Sequence, residues 1–321
     1  MSFGDQRVLV TGGAGFIGSH LVDALMERGA YVTILDNLST GSKENVRRWT
    51  DHSRFSLEAG DCLEAEDLRR AIKNQELVFH AAANPEVRAA LTDPHIDFQQ
   101  NVAATKMVLE EMRKSRTAKI LAFTSTSTVY GEAKRVPTPE DYGPLTPISL
   151  YGASKLACEA LISGYCHMFG LRSVIYRFAN IVGSRSRHGV VWDFIQKLRK
   201  NPRDLEILGD GAQSKSYLLV DDCVEAFLIG LKKLPERLET YNVGSSTRVT
   251  VVEVAKVVSD EMNLKDVSFT FTGGVEGGRG WKGDVKTMLL DISKIERLGW
   301  RSKHDSAESI RIATRELLRE T

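Results

Sequence analysis

Short apolar runs alternate with amphipathic stretches through the first half of this 321-residue chain. "RVLVTGG" (7–13) reads as a strand, "FIGSHLVDALMERG" (16–29) as a helix stopped by Gly29, and "YVTILDN" (31–37) as the next strand. "RFSLEAGD" (54–61) follows, then the helical "EAEDLRRAIK" (64–73) and the strand "ELVFHAAA" (76–83). A long helical segment near 95–114 leads into "KILAFTSTSTVYG" (119–131), strand-like at its start. Strands that are apolar almost throughout, alternating with helices, belong to a parallel sheet covered on both faces. The predicted fold class is α/β, a doubly wound parallel sheet with a smaller mixed α/β domain toward the C-terminus.

Beyond "LTPISLYGASK" the pattern predicts a helix to about Phe169 and the strand "RSVIYRFAN" (172–180). Alternation breaks at "IVGSRSRHG" (181–189), and a helix at 190–200, the turn "NPRD" and the strand "LEILGDG" come next. A strand at 217–220, a helix at 222–233 and "TYNVGS" are read as returning to the first domain. From about 246 the tail is mixed and holds the glycine-rich "FTGGVEGGRGWKGD". No internal repeat or low-complexity linker interrupts the chain. The expected domains are 1–180 with about 214–245, and about 181–213 with 246–321.

Composition narrows the partners. The chain is 42% hydrophobic and 26% charged, with a formal net charge of +1. That balance argues against nucleic acid or an anionic membrane as the main partner. Cys62, Cys158, Cys166 and Cys223 are scattered, with no CxxC and no metal-like cluster, as packed thiols of a reduced protein would be. "MSFGDQRVLVTGG" lacks a signal-peptide pattern, and no stretch approaches the roughly 20 apolar residues of a membrane span. A soluble, cytoplasmic protein is expected.

The chemistry starts at "VLVTGGAGFIGSH", where Gly12, Gly15 and Gly18 lie between a strand and a helix. A turn without side chains lets the backbone approach a pyrophosphate, and the helix N-terminus supplies N–H donors and positive dipole. Gly18 lets the helix pack close to the sheet. Asp36, at the end of the second strand, is placed to accept hydrogen bonds from an adenosine ribose and to repel a 2′-phosphate. Asn37, Ser39 and Thr40 follow it without an arginine. NAD is therefore favoured over NADP.

The glycine spacing is GxxGxxG. With "TGGAGFIG", "GD" at 60–61, "HAAA" at 80–83, Asn101, "TSTSTVYG" and "YGASK" in this order, the chain resembles the extended short-chain dehydrogenase/reductase family, and within it the UDP-glucose (UDP-galactose) 4-epimerases. The resemblance spans nearly the whole chain and implies a Rossmann-type sheet. It extends the cofactor site to Phe16, Ile17, Gly41, Asp61, Cys62, Ala81, Ala82, Ala83, Asn101, Thr124 and Phe178.

Tyr151 and Lys155, at i and i+4, share a helix face. Lys155, read as a fixed positive charge, and the nicotinamide cation both favour tyrosinate, pulling Tyr151 down from about 10. Such a base can take a hydroxyl proton from a sugar. The resemblance implies that Lys155 also holds the nicotinamide ribose, and that Thr126 is the catalytic hydroxyl that hydrogen-bonds the reacting sugar oxygen. Relatives that eliminate water or decarboxylate carry an acid before "VYG"; Ser127 and Thr128 stand there instead. This points to reversible oxidation at C4 of a UDP-hexose, with a transient 4-keto sugar and tightly bound NAD that is recycled.

For the substrate, the resemblance implies Asn180 on a phosphate or sugar oxygen, Val190 at a helix N-terminus facing the diphosphate, and Leu208 flanking uracil. Lys215 stands where arginine is usual, a point charge instead of a fork. Arg279 is the expected diphosphate clamp, although it lies five places before Asp284 where three is usual, with Trp281 between. Met288 takes a pocket position where a tyrosine is associated with excluding N-acetylated sugars. Arg185, Arg187 and His188 are either solvated loop charges or partners of a uronic acid carboxylate. UDP-GlcNAc or UDP-glucuronate 4-epimerases, a nucleotide-sugar reductase and an NAD-sensing regulator are the alternatives. Family likeness implies a homodimer built on the 95–114 and Tyr–Lys helices.

Overall fold

The computed structural model describes residues 3–320; residues 1, 2 and 321, at the ends of the expected domains, lie outside the described residues. In chain order come β1 (Arg7–Thr11), α1 (Phe16–Glu27), β2 (Tyr31–Asp36), β3 (Phe55–Ala59), α2 (Ala65–Ile72) and β4 (Leu77–His80). One short turn, α3 (His95–Asp97), runs through a π-helical turn at Phe98–Ala103 into α4 (Ala104–Lys114). Next, β5 (Ile120–Thr126) ends in a 3-10 turn at Ser127–Tyr130, and α5 (Leu150–Phe169) precedes β6 (Arg172–Phe178). Then follow β7 (Asn180–Val182), α6 (Val190–Lys200), β8 (Asp204–Ile207), β9 (Ser214–Lys215), β10 (Tyr217–Leu219), α7 (Val220–Gly230) and β11 (Leu238–Val243). The tail holds β12 (Val249–Thr250), α8 (Val251–Glu261), β13 (Ser268–Phe271), β14 (Thr287–Met288), α9 (Ser293–Glu296) and α10 (Ser306–Arg319).

Seven strands form one sheet in the order β11-β6-β5-β4-β1-β2-β3. The ladders β3–β2, β2–β1, β1–β4 and β4–β5 are parallel, as expected for the Rossmann-type doubly wound sheet. The chain begins at β1, winds outward through β2 and β3, then restarts on the other side at β4. Loops leaving the carboxyl ends of β1 and β4 therefore diverge, the place where open α/β sheets leave a crevice for ligands.

The structure divides into two compact units: the chain up to Ser125 with Ser154–Arg177 and Phe227–Tyr241, and Thr126–Ala153 with Phe178–Ala226 and the chain from Asn242. The first unit's core joins Leu9, Val78, Leu121 and Phe123 of the sheet to Val108 and Met112 of α4 and Cys158, Ile162 and Cys166 of α5. In the second unit Phe194, Ile195 and Leu198 of α6 pack with Leu205, Val254, Val258, Ile310 and Leu317. Its α8 is fastened by a capping box between Thr250 and Glu253. All four cysteines are buried and free. Among the described residues no helix is long and apolar enough to cross a membrane.

Two expectations need correction. The helical segment expected near 95–114 is not α-helical throughout: the π-helical turn adds a residue to one turn, burying Asn101 and leaving Phe98 exposed. Nor does the strand near 217–220 join the large sheet: β10 pairs in parallel with β7, Tyr217 opposite Asn180, in a separate two-stranded sheet.

Candidate active site

The first unit holds a cradle without side chains. Gly12, directly after β1, has φ +69, and a Cβ there would lie 2.7 Å from the Ala82 amide nitrogen. A Cβ on Gly18 would lie 2.1 Å from the Gly12 carbonyl oxygen, so the first turn of α1 can sit on the loop only without a side chain. Gly15 is the N-cap of α1; it makes no side-chain cap, and no acid stands in the first turn. An anion is the natural partner of such a helix end, which carries donors and a positive dipole. These features fit a dinucleotide pyrophosphate. Gly18→Ala is expected to lower both the thermal transition and the dinucleotide released on denaturation; undiminished nucleotide content would contradict the assignment.

Asp36 is buried and its two carboxylate oxygens accept from the Ala14 amide at 2.9 Å and the Leu38 amide at 2.8 Å. It thus ties the glycine loop to the end of β2, and each oxygen keeps a lone pair for a ribose hydroxyl. Asn37 donates to Asp61 at 2.8 Å and accepts from the amide and hydroxyl of Ser39, fixing the turn that includes Thr40. A Cβ on Gly41 would lie 2.9 Å from the Ala14 carbonyl carbon. Asp61 also accepts from the Leu63 amide, and burial pushes the intervening Cys62 thiol up to about 12, so it is no nucleophile. Phe16 and Ile17 open α1, and Phe178 closes β6. Ala81, Ala82 and Ala83 follow β4, and the Ala81 amide bonds back to the Thr11 carbonyl.

Lys155 is the most enclosed cation of this unit, 2% exposed. Its ammonium donates to the Thr124 carbonyl at 3.0 Å and lies 4.9 Å over the Phe123 ring. The Thr124 hydroxyl donates to the His80 carbonyl at 3.1 Å. The charge of Lys155 is not fixed, contrary to the expectation: burial lowers its pKa to about 8, opposed by Cys158, Asp97 and Glu159. His80, held between Thr11 and Thr105 by its two ring nitrogens, is brought down to about 3 by burial and then by Lys155, so it stays neutral. Asn101 sits in the π-helical turn and donates to Ser154 at 2.9 Å.

Sequence reasoning missed two buried polar groupings here. One is the set Asn84, Asp97, Asn101 and Ser154; the other joins Ser125 to Glu159, which Arg177 holds through Nε and Nη2. The available signal was Glu159, a carboxylate on a face of α5 that otherwise packs in the core; Asp97 lies among exposed neighbours and gave none.

Thr126 and Tyr151 belong to the second unit. Thr126 Oγ1 accepts from the Thr128 amide at 3.2 Å and lies 3.1 Å from the Thr128 hydroxyl, capping the 3-10 turn. Tyr151 is half-buried in the first turn of α5, the helix that carries Lys155 one turn further on. A Cβ on Gly152 would lie 2.8 Å from the Thr128 carbonyl oxygen, so this helix end packs closely on that turn.

The expected substrate residues are also in the second unit. Asn180 Nδ2 donates to the Ser216 carbonyl at 3.2 Å. Val190 opens α6, whose N-cap Gly189 has no side-chain cap. Leu208, just beyond β8, accepts at its carbonyl from Gln213. Met288 is buried on β14, in register with Lys215 on β9. Both expected cations have carboxylate partners: Lys215 pairs with buried Asp284, and Arg279 with Glu132 at 2.8 Å. Lys215 also lies 5.3 Å over the Trp281 ring. Arg187 pairs with Glu320, as a surface loop charge would.

Residues 8–244 match the model of the NAD dependent epimerase/dehydratase family. A crystal structure of UDP-galactose 4-epimerase is 42% identical, with a TM-score of 0.87, covering 98% of this chain and 99% of that one. The UDP-glucose 4-epimerase of Mycolicibacterium smegmatis is 32% identical over 95% of this chain and 96% of that protein. A complex of Thermus thermophilus UDP-glucose 4-epimerase with NAD is 33% identical, with a TM-score of 0.84 over 97% of this chain and 98% of that one. Other relatives are named UDP-glucuronic acid decarboxylase and dTDP-glucose 4,6-dehydratase.

Proposed function

We infer the reaction from one premise: the chain belongs to the NAD-dependent epimerase/dehydratase family, and NAD is its cofactor. We propose that it inverts C4 of a UDP-hexose, interconverting UDP-galactose and UDP-glucose. The observation that carries this reading is α5, which sets Tyr151 one turn from a buried lysine.

On this proposal the glycine cradle at Gly12, Gly15 and Gly18 holds the pyrophosphate, Asp36 the adenosine ribose and Lys155 the nicotinamide ribose. Bound NAD supplies reversible two-electron oxidation at C4. Tyr151 removes the 4-hydroxyl proton as tyrosinate and later returns it, while protonated Lys155 stabilises the tyrosinate. Thr126 donates to the reacting oxygen. After the sugar turns over, the proton returns at the same atom and no net redox change remains. Elimination of water or loss of CO2 needs a further proton-transfer group, and the turn at Ser127–Tyr130 carries no carboxylate.

Support for a UDP-hexose comes from relatives named for it; Met288, smaller and more pliable than the tyrosine associated with excluding N-acetylated sugars, leaves room for those sugars as well. The test is to incubate the protein with UDP-galactose, UDP-N-acetylgalactosamine or UDP-glucuronate, without added NAD. Conversion of UDP-galactose to its 4-epimer is expected. Conversion of only one of the other two would move the substrate, and release of CO2 or stoichiometric coenzyme consumption would replace the reaction.

A further inference from the structure

Asp97, in the short turn before the π-helical segment, is 1% exposed, and its Oδ2 has no hydrogen-bond partner. Its Oδ1 accepts from Asn84 Nδ2 at 3.0 Å and, at 3.5 Å, from Asn101 Nδ2. Asn101 also donates to the Ser154 hydroxyl at 2.9 Å and accepts from the Asn84 amide at 3.0 Å, so both of its polar atoms are engaged. Ser154 is the neighbour of Lys155 on α5. Two neutral amides thus hold a carboxylate in the core beside the lysine's own turn, and no arginine or lysine is bonded to it among its hydrogen bonds. A buried carboxylate this poorly compensated is costly to retain for packing alone.

We propose that Asp97 is a positioning residue of the active site: an internal countercharge for Lys155. The inference rests on the role proposed for Lys155 in the reaction. Charged and titratable groups around Lys155 are Asp97, Glu159, Cys158 and His80, with Tyr151 one turn before it on α5 and the Phe123 face below it. Among these, Glu159 is committed to Arg177 by bidentate hydrogen bonds. Burial raises Cys158, which stays a thiol and donates to the Asn101 carbonyl at 3.4 Å, while His80 is neutral. Asp97 is left as the carboxylate that no arginine or lysine holds by a hydrogen bond. Burial raises Asp97 and lowers Lys155, and each opposes the change in the other. The pair therefore titrates as a coupled unit.

Asp97→Asn tests this with little change of shape, because the amide oxygen can still accept from Asn84 and Asn101. The Lys155 side chain is followed by the carbon resonance next to its ammonium, in protein labelled at lysine. The variant is expected to release the Lys155 proton about one pH unit or more below the parent. The alkaline limb of kcat for the sugar interconversion moves down in step. By reciprocity, Lys155→Met is expected to raise the titration of the Asp97 carboxyl by the same interval, which serves if Asp97→Asn does not fold. Unmoved titrations in whichever variant folds would overturn the proposal, as would a rate lowered equally at every pH. The resonance readout needs no substrate, so failure of the sugar assay with a shifted lysine would strike the proposed reaction and spare the pairing.

Discussion

Tyr151→Phe is expected to lower sugar interconversion by about 10²–10⁴-fold, the range a positioned general base contributes. The substitution removes one oxygen and keeps the ring, so the packing of α5 on the turn at Ser127–Tyr130 is retained. A phenol titrates near 10 and is a poor base at neutral pH unless a cation stands by. The variant should still copurify with dinucleotide, because the glycine cradle and Asp36 lie elsewhere in the chain. A single-turnover measurement separates the proton step from binding. An undiminished rate, or a loss confined to KM, would remove Tyr151 from the chemistry.

The largest expected effect on stability comes from Glu159→Ala. Glu159 accepts from Arg177 Nε and Nη2, the latter at 2.7 Å, and from the Ser125 hydroxyl at 2.5 Å. The side chains of Glu159 and Arg177 are only 7% and 8% exposed. Removing the carboxylate leaves a guanidinium in the core without its partner, which costs about 3–5 kcal/mol. The double variant Glu159→Leu with Arg177→Met is expected to recover most of that loss, since no lone charge remains. Denaturant titration of the three proteins measures both terms. A loss under about 1 kcal/mol, the value of an exposed pair, would mean that water reaches the site.

The sheet was legible because its strands are apolar along their whole length and separated by amphipathic helices. The glycine cradle was legible because three small residues at fixed spacing fall between two such elements. The π-helical turn was not, because one extra residue in a helix leaves the inward spacing of Val102, Val108 and Met112 intelligible either way. Nor was the pairing of β10: a run as short as Tyr217–Leu219 is equally apolar in either sheet, and only the register with Asn180–Val182 decides. At the site, spacing put Tyr151 and Lys155 on one helix face, and only the family resemblance gave the pair a role. The state of the lysine did not, since it depends on burial and on Asp97, which is far along the chain and looks there like any solvated acid.

The two cations expected to hold a diphosphate already have internal tenants. Lys215 is occupied by Asp284 and Arg279 by Glu132. On the reading that these two cations hold the diphosphate, an incoming dianion competes with the carboxylates, so the net affinity is set by a difference between two pairings. On the same reading, replacing Glu132 with glutamine lifts one rival, and tighter retention of the nucleotide sugar, with slower product escape, is expected.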